Sequence, residues 1–190
     1  MIVLPSAIRY IHAIFTSYHR LGAVSPHGLK PPSKGDGMNR DELKKLLWKL
    51  FGHLTQLQMM ALTIFGEARG ESRDGRIAVG SVILKRVECR EWDGETIHEV
   101  CLMPFQFSCY LPSDPNLKLL QQIADAWDDF HAKSATLRQC CDIAAGLLDG
   151  TIERNVDALQ YVNPRTVKMM PAWTKTMKLV AAIGHHVFYT

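Results

Sequence analysis

A long run of apolar residues at helical spacing is the feature that most constrains how this sequence folds. The run opens after Asn39, which has Glu42 three residues later, as in a capping box. Its apolar positions are Leu43, Leu46, Leu47, Leu50, Phe51, Leu54, Leu57 and Ala61. The pattern can extend to Phe65, with Gly52 as a break and Gly70 as a terminator. The sequence therefore predicts a helical domain that begins near Asn39.

Three further segments have the patterns of helices. Asp74 suits the cap of a helix over residues 76–87, although the Val and Ile content of that segment also permits a strand. A Ser-Asp-Pro triplet at residues 113–115 is a helix start with proline in the first turn, and apolar residues follow on one face as far as Phe130. Another helix is predicted from about residue 136 to residue 148.

Short extended segments are predicted towards the C-terminal end. One covers Leu159–Val162, and two more, Lys178–Ile183 and His186–Tyr189, form a small hairpin around Gly184 and His185. The predicted fold class is therefore mainly helical with a small β-hairpin or sheet, an α+β arrangement.

The chain divides into a short N-terminal unit and one domain. Residues 4–22 have the spacing of an amphipathic helix, and residues 23–38 are so rich in proline and glycine that they predict a linker. We therefore assign residues 1–38 to an N-terminal helix and linker, and residues 39–190 to the domain. No stretch reaches the roughly 18 apolar residues of a membrane span, so no stable span is expected.

Charge and cysteine content narrow the function only slightly. The net charge of +3 would help adhesion to an anionic polymer such as a cell wall or a nucleic acid, and is evidence for neither. The five cysteines show no C-x-x-C spacing, which favours thiols in a protein made in a reducing cytosol over a zinc site or a disulfide framework. We expect no cofactor, no metal, no nucleic-acid partner and a monomer.

The segment Gly66-Glu67-Ala68-Arg69-Gly70-Glu71 lies where the first apolar run ends. On a continuing helix, Glu67 and Glu71 share a face and repel each other, and partial burial adds to the preference of one of them for its protonated form. A carboxyl that holds a proton is what a general acid needs. Arg69 is predicted to hold the other carboxylate ionised. The alternative is a helix end with a surface ion pair, which is worth little.

Two other segments combine aromatic and polar residues. In residues 104–110, Pro-Phe-Gln-Phe-Ser-Cys-Tyr, the rings suit sugar stacking while Gln106 and Ser108 suit hydroxyl recognition; the alternative is a buried extended segment. Tyr161 and Asn163, with Trp173 further on, are predicted to line the same saccharide-binding groove as residues 104–110. The alternative is a turn at Asn163 and a tryptophan in the core.

The paired histidines His185 and His186 lie in the predicted hairpin. Adjacent residues of a strand point to opposite faces, so the pair is poorly placed to chelate one metal ion. A structural role in the hairpin is the expectation, and no metal site is assigned.

Taken together, these segments resemble the SleB-type cell-wall hydrolase family, which includes spore-cortex-lytic and phage-borne peptidoglycan hydrolases. The resemblance runs from about Met59 to Tyr189. Its markers, in order, are the sequences IFGEARGE, GRIAVGSVILKRV, PFQFSC, a Tyr-x-Asn-Pro element and the closing IGHHVFY. Here Val162 is inserted relative to a simpler Tyr-Asn-Pro form.

The resemblance implies a small lysozyme-like, lytic-transglycosylase-like domain with a groove for a glycan strand. It implies that Glu67 is the single general acid/base for cleaving the β-1,4 bond between N-acetylmuramic acid and N-acetylglucosamine. Glu71, Arg69, Gln106, Ser108, Tyr161 and Asn163 are the predicted substrate-binding residues.

Three alternatives stay open at this point. Water activation by Glu71 or another carboxylate would make the enzyme a muramidase. A non-catalytic wall-binding or virion module would keep the fold without activity, and a metal-dependent amidase would need a converging His/Asp/Cys set. The expected setting is an endolysin-like lysis protein made in the bacterial host cytoplasm that acts on the wall; a bacterial housekeeping enzyme is the alternative.

Overall fold

The computed structural model of the protein describes residues 38–89 and 94–190. The predicted N-terminal helix and nearly all of the predicted linker lie outside the described residues. In the described part, the helices are α1 (Arg40–Phe51), α2 (Gln56–Ala68), α3 (Arg73–Glu88), α4 (Ile97–Cys101), α5 (Asn116–Asp125), α6 (Trp127–Lys133) and α7 (Ala135–Asp149). The strands are β1 (Gln160–Val162), β2 (Leu179–Ile183) and β3 (His186–Tyr189), and short 3₁₀ turns cover Ser108–Tyr110 and Ala172–Lys175.

The first apolar run forms two helices. The predicted capping box opens α1, because Asn39 Oδ1 accepts a hydrogen bond from Glu42 N at 3.0 Å and Glu42 Oε2 accepts one from Asn39 N at 2.9 Å. The break predicted at Gly52 is confirmed, since α1 is capped there. A second capping box, made by Thr55 and Gln58, opens α2.

Helix α2 is the central element of the core. Every residue from Met59 to Phe65 is buried, and the helix packs against α3, α4 and α7. A helix that is apolar on all sides is stable only when other elements surround it. Its two end turns reach the surface, so α2 can present polar side chains at its ends and not along its middle.

The following helices differ from prediction at two points. The segment over residues 76–87, for which helix and strand were both open, is part of helix α3. The cap of α3 is Ser72 rather than Asp74, because Ser72 Oγ accepts a hydrogen bond from Gly75 N at 3.3 Å. The run predicted as far as Phe130 breaks at Ala126 (φ −132°, ψ 47°), which separates α5 from α6. The last predicted helix is confirmed as α7.

The three strands form one antiparallel sheet in the order β1-β3-β2. Phe188 in the central strand pairs with Tyr161 on one side and with Ala181 on the other. The turn between β2 and β3 contains Gly184 at φ 60°, a conformation that favours glycine. The predicted hairpin is confirmed, as is the mainly helical class with a small sheet. Within the described residues, no helix has the length and apolar character to cross a membrane.

Candidate active site

Glu67 occupies the last turn of α2 and is half-buried. Its Oε1 accepts hydrogen bonds from Cys109 N at 2.9 Å and from Ser108 Oγ at 3.2 Å. Its Oε2 accepts one from Tyr161 Oη at 2.9 Å. Two segments far apart in the sequence therefore converge on one carboxyl group at the end of the central helix.

The residue before Glu67 explains how the loop comes so close. A Cβ added to Gly66 would lie 2.8 Å from Cys109 Sγ and 2.9 Å from Cys109 Cβ, which is closer than real Cβ contacts. The loop also contains Phe105 at φ 68°, an uncommon conformation for a non-glycine residue. Glycine at position 66 thus lets the Ser108–Tyr110 turn lie directly against α2 and aim its N–H at the carboxyl group.

Tyr161 reaches Glu67 from strand β1 and is 4% exposed. Its ring packs edge-on against His186, with centroids 5.0 Å apart, and at a tilt of 40° against Phe188, with centroids 5.7 Å apart. Burial raises the pKa of Tyr161 well above its ordinary value, and the charge of Glu67 adds to the rise. The phenol therefore keeps its proton and donates it to the hydrogen bond with Glu67.

Cys109 contributes its backbone rather than its thiol chemistry. Burial raises the pKa of the Cys109 thiol well above its ordinary value of 9.0, and the neighbouring Glu67 raises it further. A thiol held in this state is a poor nucleophile, because the thiolate is the reactive form. The interpretation of the cysteines as thiols fits this position.

Glu71 lies outside α2, which ends at Ala68. The prediction that Glu67 and Glu71 share a helix face is therefore wrong. The side chain of Glu71 is 9% exposed; its Oε2 accepts a hydrogen bond from His185 N at 3.0 Å, and its Oε1 lies 2.9 Å from His185 Nδ1. Burial alone would raise the pKa of Glu71, but the hydrogen bonds from His185 and the charge of His186 together lower it. Glu71 thus anchors the β2–β3 turn.

Several predicted substrate contacts are engaged elsewhere. Arg69 donates to Asn116 Oδ1 at 2.6 Å and lies over the ring of Phe65, rather than holding a carboxylate. Gln106 is only 4% exposed, so its amide is inside the protein rather than in a groove. Asn163 Oδ1 accepts a hydrogen bond from Arg165 N at 3.0 Å, which is turn chemistry. Of the six, Ser108 and Tyr161 contact Glu67.

The aromatic residues of the loop also differ from prediction. Phe107 and Tyr110 are buried in the core, and Tyr110 Oη lies 2.9 Å from Thr63 Oγ1. Trp173 is 6% exposed and packs edge-on against Tyr189 with centroids 5.2 Å apart. The loop is mostly buried, as the alternative held, but it is a series of turns that ends in the 3₁₀ turn Ser108–Tyr110 rather than an extended segment. These three rings are packed in the protein interior, so they are not available to stack on a ligand.

Sequence reasoning missed three groups of this site. The Cys109 N–H is a backbone donor, which no residue type signals. His185 and His186 were assigned to the hairpin alone, yet His185 binds Glu71, and His186 is 6% exposed against Tyr161. Burial lowers the pKa of His186, against the charges of Glu71 and Glu67.

The surroundings of the site contain a cavity and no metal cluster. The cavity, about 470 Å³, lies between the start of α3 and helix α7, with Glu71, Arg73 and Asp142 in its wall; Glu67 is not part of its lining. Within residues 38–89 and 94–190, no three His, Cys, Asp or Glu side chains are grouped so that they could hold a metal ion.

A half-buried carboxyl group at a helix end, bonded to one amide and two hydroxyls, is an arrangement that can give up and take back a proton. The chain belongs to the Cell Wall Hydrolase family, whose model matches residues 70–189.

Curated relatives agree with this membership. The chain is 28% identical over 139 residues to the spore cortex-lytic enzyme of Oceanobacillus iheyensis, a match that covers 70% of this chain and 40% of that protein. It is 27% identical to the spore cortex-lytic enzyme of Bacillus cereus, over 70% of this chain and 43% of that protein. The chain therefore spans about two fifths of the length of these relatives.

Two solved structures are similar to this chain. One is the catalytic domain of the germination-specific lytic transglycosylase SleB from Bacillus anthracis, with 26% identity, a TM-score of 0.49, and coverage of 71% of this chain and 93% of that one. The other is the catalytic domain of the Bacillus cereus SleB protein, with 27% identity, a TM-score of 0.47, and coverage of 71% and 89%.

Proposed function

We propose that this protein cleaves the glycan strands of bacterial peptidoglycan, at the β-1,4 bond between N-acetylmuramic acid and N-acetylglucosamine, as a lytic transglycosylase. Glu67 is the single general acid/base. Membership of the Cell Wall Hydrolase family supports the substrate class. The observation that carries the residue assignment is the hydrogen-bonding of Glu67 by donors from two separate segments.

The donors suit a group that gains and loses a proton. An amide N–H can only donate, so Cys109 N fixes the position of Oε1. The hydroxyls of Ser108 and Tyr161 can rotate and can either donate or accept. They can therefore remain bonded to Glu67 when it is a carboxylate and when it carries a proton.

In the first half of the reaction, Glu67 gives its proton to the glycosidic oxygen. The bond between that oxygen and C1 of the muramyl ring breaks, and the N-acetylglucosamine side leaves with a free 4-hydroxyl group. Positive charge develops on C1 and the ring oxygen of the muramyl residue, as in other glycosidic cleavages. The Glu67 carboxylate left behind is negative and close to this charge.

In the second half, the Glu67 carboxylate takes the proton of the muramyl 6-hydroxyl group. The freed oxygen attacks C1 and closes a 1,6-anhydro ring. Glu67 is protonated again, and no water is consumed. The substrate supplies the nucleophile, so one acid/base residue completes the cycle.

The position of Glu71 favours this scheme over one that uses water. A glycosidase that uses water by the usual route has a second carboxylate to activate the water or to act as nucleophile. Glu71 is the nearest candidate in the sequence, but both of its oxygens are engaged by His185 and its side chain is 9% exposed. It is therefore poorly placed to take a proton from a water molecule at the glycan.

Digestion of purified insoluble peptidoglycan tests the proposal. We expect turbidity to fall and mass spectrometry to find anhydromuramyl ends, while Glu67→Gln leaves the suspension turbid. Reducing muramyl ends would assign a muramidase instead. Binding to peptidoglycan without solubilisation would indicate a non-catalytic wall-binding module. Cleaved stem-peptide linkages would indicate an amidase.

We infer that the enzyme is endolysin-like: made in a bacterial cytoplasm, it reaches the wall through a separate export route. The four buried cysteine thiols at positions 101, 109, 140 and 141 support synthesis in a reducing compartment. Expression in a bacterial host should then be tolerated until a membrane pore is opened, after which the culture should lyse. Lysis without any pore would contradict this setting.

A further inference from the structure

Arg86, in the last turns of α3, is the largest fully buried side chain among the described residues, at 0% exposure. Removing a guanidinium group from water is costly unless its donors are well satisfied. The sequence offers no obvious reason for a cation at this point of the core. The contacts of the Arg86 guanidinium group explain why a cation is buried there.

The guanidinium group of Arg86 joins two segments. Its Nε donates to Leu159 O at 2.8 Å, and its Nη2 donates to Gln160 Oε1 at 3.3 Å. Its Cζ lies over the ring of Phe107, 5.0 Å from the centroid. A single side chain on α3 therefore fixes the start of β1 and the loop that precedes the Ser108–Tyr110 turn.

These contacts lie next to every group that donates to Glu67. Gln160 immediately precedes Tyr161, and Phe107 immediately precedes Ser108 and Cys109. The positive charge of Arg86 also acts on Tyr161: it lowers the pKa of the phenol, although burial and the charge of Glu67 raise that pKa by more. A nearby cation makes the phenol a stronger donor to a carboxylate.

We propose that Arg86 is a positioning residue for the acid/base group: it holds Tyr161 and the Ser108–Cys109 turn in register, so that their donors stay on the two oxygens of Glu67. Arg86 does not touch the glycan. This inference rests on the proposed function of Glu67.

The role depends on the shape of the side chain as well as its charge. Guanidinium presents several N–H groups in a fixed plane, and that plane also stacks on an aromatic ring. Lysine offers a single ammonium group, so Arg86→Lys keeps the charge and loses the simultaneous contacts to β1 and to Phe107. We expect kcat on peptidoglycan to fall about tenfold or more, with KM within about twofold of the wild-type value.

The preceding residue provides a matched control. Lys85, on the same helix, forms an ion pair with Asp157, which lies shortly before β1, at 2.7 Å. Lys85→Met therefore removes a charge and a tether to the same part of the chain without touching the neighbours of Tyr161. We expect Lys85→Met to change kcat less than twofold, since exposed ion pairs contribute little.

A double-mutant cycle with Tyr161→Phe separates positioning from a general loss of stability. If Arg86 acts through the Tyr161 hydroxyl, Arg86→Lys should lower kcat in the wild-type background and by less than about threefold in the Tyr161→Phe background. Equal effects in the two backgrounds, or a wild-type kcat in Arg86→Lys, would overturn the proposal. Should Arg86→Lys not fold, Gln160→Leu takes its place in the same cycle, with the same two outcomes.

A readout that needs no activity distinguishes this inference from the function on which it rests. The chain has five tyrosines, and labelling with 3-fluorotyrosine gives each a ¹⁹F signal; Tyr161→Phe identifies the signal of Tyr161. Arg86→Lys should move that signal, and Lys85→Met should not. An unmoved signal refutes the positioning role, whereas an inactive wild-type protein with a moved signal refutes only the proposed function.

Discussion

Glu67 and Glu71 belong to the same hexapeptide, yet the fold treats them differently. The donors to Glu67 come from two segments and are an amide and two hydroxyls. The donors to Glu71 come from one residue, His185, through its backbone and its ring. Both residues are half-buried, so the difference between them lies in their hydrogen-bond partners.

The difference shows how the surroundings divide the roles of identical side chains. Glu67 is held by hydroxyls that can follow a change in its protonation. Glu71 has a lowered pKa and closes the β2–β3 turn around Gly184, which leaves no room for a larger residue beside the carboxylate. One carboxyl group is suited to chemistry, and the other to stability.

Exchange of each glutamate for glutamine is the strongest test of this division. Glu67→Gln should lower activity on peptidoglycan about a thousandfold or more, because the proton-transfer group is lost, with little change in stability. Glu71→Gln should keep activity within about tenfold and lower the free energy of unfolding by about 1–3 kcal/mol. Urea unfolding and turbidity assays measure both quantities; the reverse pattern would exchange the two roles.

Removal of the Tyr161 hydroxyl should have the next largest effect. Tyr161→Phe deletes the donor to Glu67 Oε2, and a hydrogen bond to a charged group is worth about 1.5–3 kcal/mol, so kcat should fall about 10- to 100-fold. Tyr110→Phe is the control, because that hydroxyl pairs with Thr63 in the core. Equal activity losses in the two variants would mean that the phenol of Tyr161 has no special role.

A methyl group at Gly66 should separate the loop from the helix. The added Cβ meets Cys109, so Gly66→Ala should displace the N–H that binds Glu67 and lower kcat roughly tenfold. Gly70→Ala, in the same hexapeptide, is the control, since nothing lies within 4 Å of its added Cβ. Wild-type activity in Gly66→Ala would show that the Cys109 N–H is dispensable.

Acid should lower the stability of the folded protein through His186 and Glu71, and this is the smallest of the expected effects. The pKa of His186 is lowered in the folded protein, so the unfolded chain binds that proton first and stability declines as pH falls below 6.5. The pKa of Glu71 is also lowered, so its contribution is present above 4.5 and is lost as pH falls further. Denaturant unfolding between pH 7.5 and 5.5 should show a decline of about 1 kcal/mol that His186→Phe removes; a decline that persists in that variant would assign it to other groups.

Periodicity and turn residues predicted most of the fold. The capping box at Asn39, the break at Gly52 and the hairpin around Gly184 are each signalled by residues adjacent in sequence. The misses have local causes. Ser72 caps α3 in place of Asp74, and the run breaks at Ala126 although no glycine or proline occupies that position.

Less of the candidate site than of the fold could be predicted from the sequence. The prediction of Glu67 drew on a motif, and its convergence with Ser108 and Tyr161 is a property of packing. Gln106 was predicted as a ligand contact because its amide suits sugars, but the residue is buried. The Cys109 donor belongs to the backbone, which has the same chemistry at almost every position and therefore leaves no trace in the sequence.

The phenol that completes the site lies 94 residues from the carboxyl group it serves. Contacts of such long sequence separation close large loops and carry a high entropic cost, so they tend to form after local helices. Strand β1 is held in place by β3, which ends at Tyr189. A chain still emerging from the ribosome can therefore assemble the α2 core, with Ser108 and Cys109 beside Glu67, while Tyr161 and strand β3 are not yet synthesised. Catalytic competence is then among the last properties the molecule acquires.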